Sequence, residues 1–311
     1  MNQPASYALR NTYYLSMSVD LKQQVRDFWN ANPCGTKFSE KEIGTKEFFD
    51  SIKQHRYSTE WHIPQVVQFE RWRGRNVLEI GCGLGTDAVE FARAGANYTG
   101  IDLTPRSIEL VARRFEMLGL SGRLRVADAE SLPFEAEEFD LVYSHGVLHH
   151  TPDPQKAFDE IHRVLKPGGT AMIMLYHKNS YNYYVNIMFL RRLGAQLLRF
   201  DWGPNLVNKI TGEDIDRLNQ LQMRLRQDPA KFFSKEEFLN QNTDGAGNPL
   251  ARVFTRRQVE EMFSRFSTVE TQVHFLNKRW IPVIGKILPR AIERPLAHRF
   301  GWHLWIIARK F

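Results

Sequence analysis

Cysteine is scarce in this 311-residue chain: Cys34 and Cys82 are the only two, in unrelated surroundings. That count excludes a disulfide framework and a zinc site built on thiolates, and it points to a reducing compartment. Long apolar runs are lacking as well, since no uncharged stretch approaches the roughly 20 residues of a transmembrane helix. The opening segment MNQPASYALRNTYYLSMSVDLK has no continuous apolar core behind a basic start, so it does not read as a signal peptide. A cytoplasmic location is the expectation. Internal repeats and low-complexity tracts are missing, which leaves an ordinary globular architecture. Hydrophobic residues at 42% and charged residues at 25% supply enough apolar surface for a full core.

Acids are the minority charge, and the net charge is +7. The excess lies late: between Asn277 and Phe311, Lys278, Arg279, Lys286, Arg290, Arg294, Arg299, Arg309 and Lys310 face only Glu293. These cations alternate with Trp280, Ile281, Val283, Ile284 and Leu288, a mixture that suits a peripheral membrane face, an RNA groove or the solvated rim of a cap.

The first 72 residues read as helical. Leu21, Val25, Phe28 and Trp29 share one face of a helix beginning near Asp20, and helices are expected over 46–57 and 63–72. From Asn76 the rhythm changes to short apolar strands alternating with amphipathic helices. Strands are expected at 76–83, 97–103, 123–128, 139–146, 170–177, 268–275 and 301–310. Between them lie helices near 86–94, from Pro105, over 154–165 and over 255–266. The apolar stripe of the second of these helices is Ile108, Val111, Ala112, Phe115 and Leu118. Such alternation implies an α/β fold: a Rossmann-like, doubly wound, seven-stranded sheet. The expected organisation is a helical N-terminal lid at 1–72, a cofactor-binding core at 73–177, a cap insertion at 178–253, and completion of the core at 254–311 with a small insertion at 276–300.

The chemistry is concentrated at the ends of the first strands. Glu79-Ile80-Gly81-Cys82-Gly83-Leu84-Gly85 closes strand one, and glycines there let the backbone approach a ligand closely. Asp102 ends strand two, positioned to accept from both hydroxyls of a ribose, and Asp128 ends strand three, where an adenine amino group could donate to it. Glu79 can pair with the ammonium of an amino-acid moiety. No Lys or Arg is built into the glycine loop to receive a pyrophosphate, so a cationic sulfonium nucleoside matches the inventory better than a dinucleotide does.

These pieces, LEIGCGLGTD, GIDLTPRSIELVAR, VADAESLPF, FDLVYSHGVLHH and EIHRVLKPGGTAMI, resemble the class I S-adenosylmethionine-dependent methyltransferases, in particular the group that includes the ubiquinone and menaquinone C-methyltransferases. The resemblance implies that S-adenosylmethionine is the cofactor. It implies that Gly81, Cys82 and Gly83 line its methionine part, that Asp102 holds the ribose with Leu103 against the adenine, and that Asp128 and Ala129 hold the adenine edge. Ser144, His145 and Gly146 would sit beneath the sulfonium. The closing strand would be antiparallel.

An acceptor that carries a proton needs a general base, and His149 and His150 follow strand four where the methyl group should point. With His145 and Asp153 they superficially suggest a metal site, but adjacent histidines diverge on most backbones and no further ligand spacing supports one; no metal is expected. Arg56 and Tyr57 could belong to the lid. Tyr176, His177, Tyr181, Tyr183 and Tyr184 cluster after strand five as the expected wall of an acceptor cavity. The acceptor expected is a small-molecule or lipid-like compound, with peripheral membrane contact suggested by the apolar-and-basic segments MFLRRLGAQLLRF (Met188 to Phe200) and WIPVIGKILPRAI (Trp280 to Ile292). A nucleic-acid methyltransferase is the alternative. It is favoured only by charge, because Ser144-His145-Gly146-Val147 stands where base-amino methyltransferases carry an Asn/Asp-Pro-Pro-aromatic motif. A non-catalytic homologue that keeps the cofactor site is a third reading.

Overall fold

The computed structural model describes residues 20–245, 247–277, 281 and 289–311. The segment Trp280 to Ile292 therefore lies largely outside the described residues, as do the first nineteen.

Seven strands form one sheet: β1 (Asn76–Ile80), β2 (Asn97–Asp102), β3 (Arg123–Val126), β4 (Phe139–His145), β5 (Leu165–Tyr176), β6 (Thr268–His274) and β7 (His303–Arg309), in the order β3-β2-β1-β4-β5-β7-β6. β1 is parallel to both β2 and β4, and β2 to β3. β7 runs against its neighbours. Gly168 N–H donates to Lys310 O and His177 N–H to Trp302 O on one side, while Ser267 N–H donates to Arg309 O on the other. This is a Rossmann-like sheet with an antiparallel closing strand.

The helices begin where sequence chemistry allows. Around the sheet come α1 (20–31), α2 (Lys46–Thr59), α3 (Ile63–Val67), α4 (Thr86–Arg93), α5 (Pro105–Met117) and α6 (Pro154–Val164). Thr104 and Asp153 cap α5 and α6 through their side chains, each followed by proline at the first helical position. α4 has no side-chain cap and starts instead from Gly85 at φ 69°. The expected helix over 63–72 is broken at Gln68, whose φ is 51°, and continues as a 3-10 turn at Phe69–Trp72. The buried face of α5 is also rotated from the expected stripe. Ser107, Leu110, Val111, Arg114 and Phe115 are buried, whereas Ala112 is exposed and Ile108 and Leu118 are half-buried.

The chain divides into two compact units. The first gathers residues up to Ile173 with Arg265–Thr268 and Ala308–Phe311, and the second gathers Met174–Ser264 with Val269–Ile307. The N-terminal helices thus belong to the same unit as the first strands. Phe48, Phe49 and Ile52 of α2 pack with Leu84 of the glycine loop and Leu110 of α5. The second unit holds a π-helical stretch Asn182–Arg191, then α7 (Gly203–Thr211), α8 (Ile215–Gln227), α9 (Lys235–Asn242), α10 (Arg256–Met262) and α11 (Arg290–Phe300).

Candidate functional site

The strand order reverses direction between β1 and β4, and in an open α/β sheet the ligand crevice lies at the C-terminal strand ends at that point. Register sets the ends level. Ile80 pairs with Ile101 and Glu79 with Tyr143, so Gly81, Asp102 and His145 stand side by side just beyond the ladder.

The glycine loop is made by backbone geometry that other residues resist. Gly81, Gly83 and Gly85 have φ of 77°, 53° and 69°. A Cβ on Gly81 would lie 2.2 Å from a methyl of Val147, while a Cβ on Gly83 would meet nothing closer than 4.0 Å. The loop is therefore packed from below at Gly81 and open at Gly83. Asp102 braces it: one carboxylate oxygen accepts from Gly83 N–H at 3.1 Å, and the other accepts from the backbone and hydroxyl of Thr104.

The electrostatics suit a cation. Burial pushes the Asp102 carboxyl above its ordinary range, and the groups that pull it back are neutral donors: Thr104, Gly83 and Ser107. Glu79 is buried, is pushed well upward by burial and by Asp87, and accepts the Tyr98 hydroxyl at 2.7 Å. Burial raises the Cys82 thiol as well, with Asp102 and Glu79 adding to it, so Cys82 is a neutral wall residue. Two desolvated carboxyls beside an open glycine loop free of Lys and Arg fit the sulfonium and ammonium of S-adenosylmethionine. They do not fit a pyrophosphate.

Other expected residues are placed differently from their expected neighbours. Asp128 lies two residues past β3, in a bridge with Ser131 rather than on the strand. Its carboxylate accepts from Lys22 of α1 at 2.6 Å and from Glu130 N–H at 2.9 Å. Lys22 also meets Glu130 at 2.7 Å; burial opposes its charge, but the two acids outweigh that and hold the ammonium above the usual lysine range. Ala129 is buried and Leu103 half-buried. Ser144 is fully buried and spends its hydroxyl on Ile80 O, tying β4 to β1. Gly146 turns the chain at φ 77°. His149 and His150 occupy a 3-10 turn, both buried, and the His150 ring meets Trp29 of α1 edge-on at 5.1 Å. Asp153 is used as the α6 cap. In the second unit, the Tyr176 hydroxyl donates to Asp244 and its ring stacks on Trp302, while Tyr184 is exposed.

A buried polar hub under the loop went unanticipated as a unit. Asp87, on the first turn of α4, accepts from Arg56 Nη2 at 2.6 Å, Tyr57 Oη at 2.8 Å and Tyr143 Oη at 2.7 Å. Burial works against the Arg56 charge, yet Asp87 and Glu60 hold the guanidinium well above its ordinary range. Glu60 is pushed up to about 7 by burial, and lies 3.8 Å from His145. Burial, together with Arg56, His62 and His149, pulls His145 well below the usual histidine range, so it is neutral near pH 7. Arg114 reaches under the same loop and donates to Leu84 O and Thr86 Oγ1. The acid after the third glycine and the arginine within an apolar helix face were the available signals.

With that geometry in view, comparison with known proteins defines the class. Residues 78–173 match the family model described as a methyltransferase domain. A sterol 4-C-methyltransferase of Caenorhabditis elegans is 37% identical over 137 residues, covering 43% of this chain and 41% of the relative. A phthiotriol/phenolphthiotriol dimycocerosates methyltransferase of Mycobacterium leprae is 41% identical over 98 residues, covering 31% and 36%. A ubiquinone biosynthesis O-methyltransferase of Coxiella burnetii is 30% identical over 116 residues, covering 37% and 50%. The matches span a third to a half of these curated relatives' length. Two solved structures share the fold. The PH0226 protein of Pyrococcus horikoshii has a TM-score of 0.51 at 17% identity over 92% of this chain and 99% of its own. Magnesium protoporphyrin IX methyltransferase of Synechocystis with bound SAH has a TM-score of 0.51 at 14% identity over 94% and 100%. The chain carries a class I S-adenosylmethionine-dependent methyltransferase domain. S-adenosylmethionine is the cofactor of that domain.

Proposed function

We propose that the protein transfers a methyl group from S-adenosylmethionine to a small-molecule or lipid-like acceptor, releasing S-adenosylhomocysteine. The observation that carries this reading is the open glycine loop braced by a desolvated Asp102. When bound, the cofactor supplies a methyl group already activated by its sulfonium, so the protein's task is alignment of the acceptor, an effect worth on the order of 7–11 kcal/mol in good cases. In this reading Gly81, Cys82 and Gly83 line the methionine part, Asp102 takes the ribose hydroxyls, and Leu103 and Ala129 flank the adenine. Glu79 and the strand end Ser144–Gly146 complete the cavity. Neutral His145 adds no repulsion toward a cation. His149 or His150 would accept the acceptor's proton where the acceptor carries one. Asp128 reaches the adenine edge in this reading only by sharing its carboxylate with Lys22.

The acceptor class rests on two supports. The relatives' names carry a sterol, phthiotriol dimycocerosates and ubiquinone. The second unit also displays large apolar side chains to solvent: Phe189 and Leu193 four residues apart, each 62% exposed, and Trp202, Leu206 and Ile210 at the same spacing. Arg199 and Lys209 are exposed among them, whereas Arg191 pairs with Glu213 and the Arg192 guanidinium donates to Phe233 O. Apolar stripes with a basic border suit peripheral contact with an anionic lipid surface. Among the described residues no helix is long and apolar enough to cross a membrane.

The test is incubation with methyl-labelled S-adenosylmethionine and cell extract separated into lipid, small polar and RNA pools. Label is expected in the lipid or small polar pool and lost with Asp102→Ala, whose affinity for the cofactor should fall at least tenfold by calorimetry. Label in the RNA pool alone, or unchanged affinity, would overturn the reading.

A further inference from the structure

The second unit contains a cleft of about 510 Å³, none of whose lining residues is assigned above to cofactor binding or proton transfer. Its lining includes Arg256, Arg257, Arg299, His177, His298 and Asn179, and no carboxylate. We propose that this cleft is a binding site for a phosphoryl-bearing anion, held by the guanidinium groups of Arg256 and Arg299.

Arg257, in the cleft itself, pairs with Glu261. Arg256 and Arg299 have no carboxylate partner among the described residues. Two guanidinium groups without a carboxylate partner and two imidazoles line the cleft, and such an arrangement leaves a positive potential that an incoming anion would neutralise. The planar fork of arginine matches phosphate oxygens two at a time.

The cleft is also held in shape. His177, buried at the end of β5, places Nδ1 3.1 Å from Gly301 O, and His298 places Nδ1 3.0 Å from Val273 O. Each carbonyl accepts the ring proton, which fixes both imidazoles. Burial pulls His177 below its ordinary range, with Arg256 adding a smaller push in the same direction. The N-terminus of α10 contributes little, because its capping box already uses Thr255 and Gln258. Recognition therefore falls to side chains. The volume lies within the range of small-ligand sites, so it can admit a phosphate together with part of the body that carries it.

Calorimetry with inorganic phosphate and with pyrophosphate at low ionic strength tests the site. The wild-type protein should bind one equivalent. Arg256→Gln/Arg299→Gln should weaken binding at least about tenfold, the usual scale for losing a charge-assisted contact. Lys41→Gln, an exposed cation in the first unit, should change it less than about twofold, the small effect expected of a distant surface charge. Circular dichroism checks the fold; should the double variant fail to fold, Arg256→Lys keeps the charge but not the fork and should still cost several-fold. Absence of binding, equal binding by the double variant and wild type, an equal loss in Lys41→Gln, or no loss in Arg256→Lys would overturn the proposal. Flotation with phosphatidylcholine vesicles, with and without phosphatidic acid, identifies the source. Vesicle binding that phosphate competes away supports a lipid headgroup, and phosphate binding that vesicles do not affect supports a free phosphorylated compound.

Discussion

Replacing Asp87 by Asn removes one charge from beneath the glycine loop and keeps the shape. The amide oxygen can keep either the Tyr57 hydroxyl, now on Oδ1, or the Tyr143 hydroxyl and Arg56, now both on Oδ2, and in either case Arg56 loses its counter-charge. Asp87 is 2% exposed and the Arg56 side chain 24%, so the guanidinium keeps some water once its partner is neutral. Removing one member of a buried ion pair costs about 3–5 kcal/mol, and partial exposure places this pair near the lower end, about 3 kcal/mol. Against a total stability of roughly 5–15 kcal/mol, that is a large share. Urea unfolding followed by tryptophan fluorescence reads it as a lower midpoint. Cofactor affinity should fall with it, because Asp87 sits two residues beyond Gly85. Adding Arg56→Met to Asp87→Asn removes the stranded cation and should recover at least half of the loss. A cost below about 1 kcal/mol for Asp87→Asn, under the range for breaking a buried pair, would refute the reasoning. So would a double variant less stable than the single one.

Gly81→Ala meets both a left-handed φ of 77° and a Val147 methyl at 2.2 Å, so it should cost roughly 2–5 kcal/mol and abolish cofactor binding. Adding Val147→Ala removes the overlap and should leave about 1–2 kcal/mol, the backbone share, by the same urea assay. Glu60, at about 7 in the fold against an ordinary 4.5, binds a proton that the unfolded chain releases. Its contribution is complete below about pH 4.5 and lost as pH rises through 7, at about 1.4 kcal/mol per pH unit. Arg56, Asp87 and His145 face it in both forms, so Glu60→Gln isolates its share. Between pH 5 and 7.5 the wild type should lose stability relative to Glu60→Gln; parallel curves would contradict the assignment.

The alternation from β1 to β5, the glycine loop and the starts of α5 and α6 at Pro105 and Pro154 were legible because their signals are local. What escaped was set by distant partners. Lys166-Pro167-Gly168-Gly169 reads as a turn, yet it lies inside β5, because Gly168 and Gly169 exchange backbone hydrogen bonds with Lys310. The break at Gln68 has a similar origin: Trp72 folds back to donate from its indole to Val67 O. Within the site, the glycines and Asp102 could be read from spacing. The hub around Asp87 could not, since Arg56 and Tyr57 come from α2 and Tyr143 from β4. The engagement of Asp128 by Lys22 was hidden for the same reason, with 106 residues between the partners.

Asp102 stands at two boundaries at once. One of its oxygens accepts from Gly83 N–H and so braces the loop, and in the proposed function the same residue, at the tip of β2, takes the ribose hydroxyls. Under the proposed function, loop shape and nucleoside preference would both rest on a single carboxylate, and neither could drift without the other. A lineage seeking a different nucleoside from this scaffold would first have to find another way to hold Gly83 in place.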